Sequence, residues 1–479
     1  MPVMTRRKAL QTTAIAAAAP AWASWAAPSL ATASSAAAAA PAVASSTGSP
    51  RAVGVAWRNW SGCSSGVAAS LQTPADVAGV QQLMRGSTGA VRCVGAGHSF
   101  SPLVPTEGTL LSLDRLAGWI GHDQAAMTAT FHAGTRLAQL SRQLDQVGLG
   151  LRNLPDIDAQ SFAGAISTAT HGTGAELPAL HADVQALQLV RPNGDVLECS
   201  TTQQPDYLAA AKVSLGALGV ITRASTRVLP AYNLQRKVWL KPVEELLSMA
   251  PELARQHRHF EFYYLPFTGY AAAITHTVYS GTEVLRPEAA DEDMLRDLRR
   301  LRDWLGRFPD LRRWVARKLI DPEQTELAQD RSWKLLSTQR PTLFNESECH
   351  VPREQGIACV REVIQTLERR NEVFFPMEFR FIQGDDAWLS PFYQRDSCSI
   401  AVHAAVGEPY DYLVREIAPV FRKYHGRPHW GKLHGHTAAD LPALYPRWKD
   451  FLQVRAELDP TGRMLNPHLR TLFGLPART

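Results

Sequence analysis

Apolar positions along this chain alternate between two spacings. Alternation with small or polar residues predicts strands over 110–113 and 127–132, and an apolar run predicts another over 91–94. Thr73-Pro74 with 76–84 reads as a short capped helix, and 137–147 carries helical spacing. Strand patterns at 184–190 and 196–198 flank Asn193-Gly194, a hairpin signal. From Tyr232 the composition changes, and 260–267 and 271–279 read as strands of a second sheet. Residues 375–381 alternate, so Glu378 and Arg380 share one face and Phe379 takes the other. A surface cross-strand pair would carry the same pattern. Residues 286–318 carry Arg, Asp and Leu at helical spacing broken at Pro309, which predicts two amphipathic surface helices.

Three stretches follow neither period. In 90–102 (A-V-R-C-V-G-A-G-H-S-F-S-P) a strand stops at two glycines and hands over to a histidine. A dinucleotide turn of the Rossmann kind needs a third glycine and a helix, but Phe100 replaces the glycine and Pro102 and Pro105 break the helix. The glycines still let backbone N–H groups approach an anion. In 156–174 (D-I-D-A-Q-S-F-A-G-A-I-S-T-A-T-H-G-T-G) nearly every side chain from Ala163 onward is small, too little volume for a core element. This predicts a loop pressed against a large flat ligand. Leu215 to Thr222 (L-G-A-L-G-V-I-T) reads as another close-approach segment.

With 479 residues, two domains are expected, and 45% apolar with 20% charged residues is the composition of a folded soluble protein. The net charge of +5 falls to +2 without Arg6, Arg7 and Lys8, and no basic stripe interleaves aromatics, so nucleic-acid binding is not expected. Residues 1–33 combine the paired arginines, a weakly apolar alanine run and a small-residue site at 31–33. They resemble a twin-arginine export signal, which predicts passage through that machinery to the periplasm or exterior. The run is too short for a stable membrane span. Residues 34–52, rich in Ala, Ser and Pro, read as a spacer. Six scattered cysteines form no C-x-x-C pair and identify no disulfide. Four histidines crowd 425–436, but glycines and Pro428 interrupt any single helix and no carboxylate lies among them, so no metal is expected.

V-G-A-G-H-S-F-S-P, S-T-A-T-H-G-T-G and L-G-A-L-G-V-I-T, in this order, resemble the FAD-binding half of vanillyl-alcohol-oxidase-type (PCMH-type) flavoproteins, within the aldonolactone and alditol oxidase branch. The later F-P-M-E-F-R-F and R-P-H-W-G-K resemble that branch's active-site strand and C-terminal signature, and F-N-E-S-E-C-H-V-P its acidic strand before a helix at 355–369. Cys349 departs from the pattern, standing where an aromatic is expected.

The resemblance implies an α+β protein: a two-subdomain FAD-binding domain at 53–230, an α+β substrate (cap) domain with an antiparallel sheet at 231–420, and a segment at 421–479 that returns to the FAD domain. It implies FAD joined covalently at its 8α position to His98. Gly95, Ala96, Gly97 and Ser99 would cradle the cofactor, with Ser161, Gly164, Ser167, Thr168, Thr170, His171, Gly172 and Gly174 along it. Gly219, Val220, Ile221 and Asn466 would close its edge. Glu378, Arg380 and Lys432 would be catalytic and would hold substrate together with His429. The implied reaction is oxidation of a C–OH of a sugar-derived lactone, of the D-arabinono-1,4-lactone kind, or of a polyol such as an alditol, with O2 or another acceptor taking the electrons. A catalytically idle flavin- or carbohydrate-binding protein would keep the cradle without needing the catalytic set.

Overall fold

A computed structural model describes residues 54–287, 291–338 and 340–477. The expected export signal and spacer lie outside the described residues. The first part of the fold is built on two sheets. Ser70–Gln72, Thr109–Ser112 and Val91–Val94 form a three-stranded parallel sheet. Val196–Ser200, Val184–Val190, Val220–Arg227, Thr128–His132 and Trp119–Asp123 form an antiparallel five-stranded one, with Asn193-Gly194 turning the predicted hairpin. Apolar faces of the Val77–Gly86 and Leu137–Gln146 helices, through Val80, Met84, Leu140 and Leu144, close the core over these sheets.

The second part is one eight-stranded antiparallel sheet. Its spatial order is Thr325–Arg331, Asn233–Pro242, Tyr270–Tyr279, His259–Leu265, Met377–Ile382, Ser397–Ala405, Phe344–Pro352 and Arg427–Pro428. The period of two sorts its residues cleanly. Phe262, Phe379, Phe381, Ile400, Val402 and Val351 face the Val243–Gln256 and Gly356–Leu367 helices, and Phe262 stacks on Phe379 with ring centroids 4.8 Å apart. The other face carries Glu261, Tyr263, Glu378, Arg380, Ser399, His403, Glu346 and Glu348. All are buried, and all are charged or polar.

Cys349 lies on the helix-packed face, where a Cβ on Gly426 would stand 2.4 Å from its Sγ; the site of the expected aromatic has no room for one beside that turn. The region at 286–318 forms two helices, Asp291–Leu305 and Pro309–Leu319, as its periodicity predicts. The chain after 440 returns to the first core, where Trp448, Phe451, Met464 and Leu469 pack.

Arg92 fastens that return. Its buried guanidinium donates to the carbonyls of Leu103 (2.8 Å), Leu215 (2.7 Å), Gly216 (3.0 Å) and Met464, joining the strand before the glycine turn to two distant segments. Burial lowers its pKa to about 10, still charged at neutral pH. Arg92→Leu strands several buried carbonyls, and we expect a loss of about 3 kcal/mol or more in urea unfolding. An unchanged midpoint would show that this arginine is not a fastening.

Candidate active site

The cleft begins at the turn after Val91–Val94. Gly97 has φ +69°, a backbone that L side chains rarely adopt. A Cβ on Gly95 would stand 2.3 Å from Ser161 Oγ, so glycine lets the turn meet the small-residue stretch. That stretch is not the expected loop throughout: Phe162–Ser167 is a short helix. Its Phe162 and Ile166 fill the core, while Ala163, Gly164, Ser167 and Thr168 line the cleft. The small residues that hid the helix in the sequence are the ones turned to the cleft, where bulk would fill it.

A cavity of about 250 Å³ runs from this floor to the polar face of the eight-stranded sheet. Gly95, Ala96, Gly97, His98, Ser99, Ser161, Thr170, His171, Gly219 and Ile221 join the helix residues on one side; Glu378, Arg380, His429 and Lys432 stand on the other. Four expected site residues do not line it. Val220 points into the core, as strand alternation requires between Gly219 and Ile221. Gly172 is a packing glycine, because a Cβ there would stand 2.3 Å from the Leu154 carbonyl oxygen. Gly174 bridges to the catalytic strand, donating to the Phe381 carbonyl at 2.7 Å. Asn466 is a staple: its Nδ2 donates to the carbonyls of Pro102 (2.8 Å) and Pro105 (2.9 Å), and its Oδ1 caps the Pro467–Leu472 helix.

The sheet wall is a paired charge array. Arg380 Nε donates to Glu261 at 2.7 Å, and its Nη2 meets Glu378 at 2.5 Å and Asp156 at 2.9 Å. Arg340 adds a second guanidinium to Asp156 at 2.7 Å. Three carboxyl groups therefore gather around two guanidinium groups in a largely buried array. Burial pushes Glu378 well above the usual carboxylate range, Asp156 and Glu261 adding to the push, although Arg380 opposes it. Burial also penalises a charge on Asp156, but Arg380 and Arg340 outweigh it and hold that carboxyl below its ordinary range. The Tyr263 hydroxyl stands between Glu378 and, at 2.9 Å, Asp156. The phenol O–H is within donating reach of both carboxyl groups and ties the two together.

Beside this array lies a second one. Lys432 is ion-paired to Glu346, with Glu348 at 3.9 Å; His171 Nε2 lies 2.9 Å from Glu348, which also accepts from Ser399 at 2.5 Å. Burial opposes charge on Glu348, yet His171, His429 and Lys432 hold its carboxyl well below the ordinary range. His171, Glu348 and His429 bring ligand atoms within 4.8 Å of one another, a grouping no sequence spacing announced. Glu348 there is already committed to His171 and Ser399. Burial lowers His429 to about 3 and His98 to about 4, with Lys432 adding to both, so both rings are neutral at pH 7.

Asp156, Glu261, Tyr263, Arg340, Glu346 and Glu348 escaped the sequence reading as site residues. E-F-Y at 261–263 and E-S-E at 346–348 carry the same period of two as E-F-R at 378–380. What the sequence did not show was that these strands are neighbours with one polar face in common.

Two family models match the chain: an FAD binding domain over residues 66–200 and D-arabinono-1,4-lactone oxidase over residues 224–472. The L-gulono-1,4-lactone dehydrogenase of Mycobacterium tuberculosis is 36% identical over 87% of this chain and 99% of that protein. The L-gulonolactone oxidase of Mus musculus is 30% identical over 88% and 98%. The alditol oxidase of a Streptomyces species is 27% identical over 87% and 98%. Among solved structures, a solvent-stable cholesterol oxidase superposes with a TM-score of 0.70 at 17% identity, covering 88% of this chain and 97% of that one, a likeness of fold.

The buried histidines make acid stability predictable. His98, His429, His434, His436 and His468 all titrate between about 3 and about 4 in the fold, against 6.5 unfolded, chiefly through burial. Below pH 6.5 the unfolded chain takes up protons that the fold refuses, so stability is lost as pH falls from 6.5 towards 4. Thermal unfolding across that window is expected to show a steadily falling midpoint; a flat midpoint would contradict this electrostatic picture.

Proposed function

The chain belongs to the D-arabinono-1,4-lactone oxidase family of FAD-dependent oxidoreductases acting on CH–OH groups, and we propose that its substrate is a sugar-derived aldono-1,4-lactone, with O2 as electron acceptor and H2O2 as product. The observation that carries this reading is the joint placement of Glu378, Arg380 and Lys432 on one wall of the cleft, opposite the glycine turn. Lactone is favoured over alditol because the relatives at 36% and 30% identity are named for lactones, whereas the alditol oxidase stands at 27%.

The cleft fits FAD on its own residues. Glycines at 95, 97 and 164 bring main chain close, the hydroxyls of Ser161, Ser167 and Thr168 lie beside them, and a small-residue floor leads towards the charged wall. Bound FAD supplies the hydride acceptor. The residues then divide the remaining work. Arg380, locked by three carboxyl groups, presents a permanent positive charge to electron density that builds up during oxidation. Lys432, fixed by Glu346, orients the reacting hydroxyl. Glu378, whose carboxyl burial pushes well above the usual range, stands where it can hydrogen-bond a neighbouring substrate oxygen.

We propose further that His98 is the covalent tether of the cofactor. It lines the cleft, lies with its ring 5.3 Å from that of Trp60, and is kept neutral by burial, the form in which an imidazole nitrogen is nucleophilic.

Anaerobic mixing with panels of lactones and alditols is expected to bleach the visible flavin absorbance faster with lactones, and admission of air to restore it; faster bleaching by alditols would reverse the assignment. Because burial pushes the Glu378 carboxyl towards its neutral form, Glu378→Gln is expected to cost about tenfold or less in kcat/KM, and Glu378→Leu about a hundredfold or more. Equal losses in the two variants would show that the carboxylate form is the working one. Acid precipitation of the wild-type protein is expected to leave flavin in the pellet, and His98→Ala to release it; flavin wholly in the wild-type supernatant rules out the tether.

A further inference from the structure

The helices Asp291–Leu305 and Pro309–Leu319 meet at a corner whose two sides differ sharply in chemistry. The inner side is fully engaged. Arg312 is buried and donates to the carbonyls of Asn371 (3.0 Å) and Val373 (2.9 Å), with its guanidinium over the Phe267 ring at 4.2 Å. Arg302 reaches the Glu372 carbonyl at 2.9 Å and pairs with Glu408 at 2.8 Å, while Leu298 and Met294 pack into the core below. The corner is therefore held in place, and what it exposes is not frayed core.

Its outer side carries Trp304, Phe308, Leu311 and Trp314, which are 76%, 62%, 46% and 59% exposed. Every exposed Trp or Phe among the described residues lies on this one corner. Leu311, Trp314 and Lys318 follow the three- and four-residue spacing that places side chains on one helical face. Arg307, Arg317 and Lys318 are exposed beside them and make no ion pair among the described residues, whereas the exposed acids Asp303 and Asp310 are paired with Arg302 and Arg313.

We propose that this corner docks the protein onto the surface of an anionic lipid bilayer. Protruding Trp, Phe and Leu flanked by unpaired basic residues suit the boundary between lipid headgroups and acyl chains, where indole is favoured and positive charge meets anionic headgroups. A second copy of this chain is disfavoured as occupant, because apposed corners would bring like charges together. No helix among the described residues is long and apolar enough to cross a membrane, so the contact is peripheral. The same Asp291–Leu305 helix lines the catalytic cleft through Glu292, Met294 and Leu295, and Leu295 lies about 14 Å along the axis from Trp304. Docking therefore holds the cleft near the lipid surface.

The test is flotation of the full-length, flavin-loaded protein with vesicles of phosphatidylcholine, with and without phosphatidylglycerol. The wild type is expected to float with anionic vesicles and to show a blue-shifted tryptophan emission, both weakened by high salt. Combined Trp304→Ser, Phe308→Ser, Leu311→Ser and Trp314→Ser substitutions are expected to reduce binding at least about tenfold. Arg307→Glu, Arg317→Glu and Lys318→Glu together are expected to abolish the preference for anionic lipid. Flavin content and activity in solution should stay unchanged in both variants, since none of these residues lines the cleft. Absence of wild-type flotation, or flotation that survives the four serine substitutions, overturns the proposal. So does a wild-type dimer in sedimentation that the serine variant dissolves, because a second copy would then cover the corner.

Discussion

A guanidinium buried against three carboxyl groups is the constraint around which this protein is arranged. Arg380 cannot be left unpaired in a low-dielectric interior, and its partners come from different parts of the chain: Glu378 from its own strand, Glu261 from the neighbouring strand, Asp156 from the segment that leads into the small-residue floor. Satisfying one charge therefore sets the spacing between the eight-stranded sheet and the first domain. Burial, with the same crowding of carboxyl groups, pushes Glu378 well above the usual carboxylate range.

Much of this was legible in the sequence because strand periodicity is short-ranged. F-P-M-E-F-R-F places Glu378 and Arg380 together whatever else the chain does, and the glycine turn with His98 announces close approach of backbone to a ligand. The hairpin at Asn193-Gly194 and the two helices around Pro309 follow from equally local rules. The partners of Arg380 were not legible, since which strands are neighbours is decided by pairing over more than a hundred residues. The 162–167 helix was missed for another reason. Its cleft-facing residues are small because of what they face, so their pattern carries no amphipathic signal. Asn466 and Gly174 were placed at the cofactor although their work is done in holding loops and domains together.

The sheet wall carries two charged arrays that differ in how their cations are held. One centres on Arg380, whose guanidinium is held by three carboxyl groups. The other sets Lys432 between Glu346 and Glu348, beside His171, so that its ammonium is directed rather than free to swing. Neutral histidines at 98 and 429 complete the surroundings and leave the fixed cations without competition from titrating rings near neutral pH. On the proposed reading, a sugar-derived substrate, dense in hydroxyl groups, would meet donors and acceptors already oriented by other protein groups.

The fastening made by Arg92 bears on how the molecule can be assembled. The strand that leads into the glycine turn is held by Met464 through Arg92 and by Arg463 through the Val91 N–H, and Phe100 donates to the Gly431 carbonyl at 2.7 Å. These contacts close loops of more than three hundred residues, so they form late and reward the chain only once both ends are present. The cradle is therefore not a module that could be excised, transplanted or matured alone. A chain stopped before residue 431 would keep every glycine of the turn and still lack the framework that makes it a binding site.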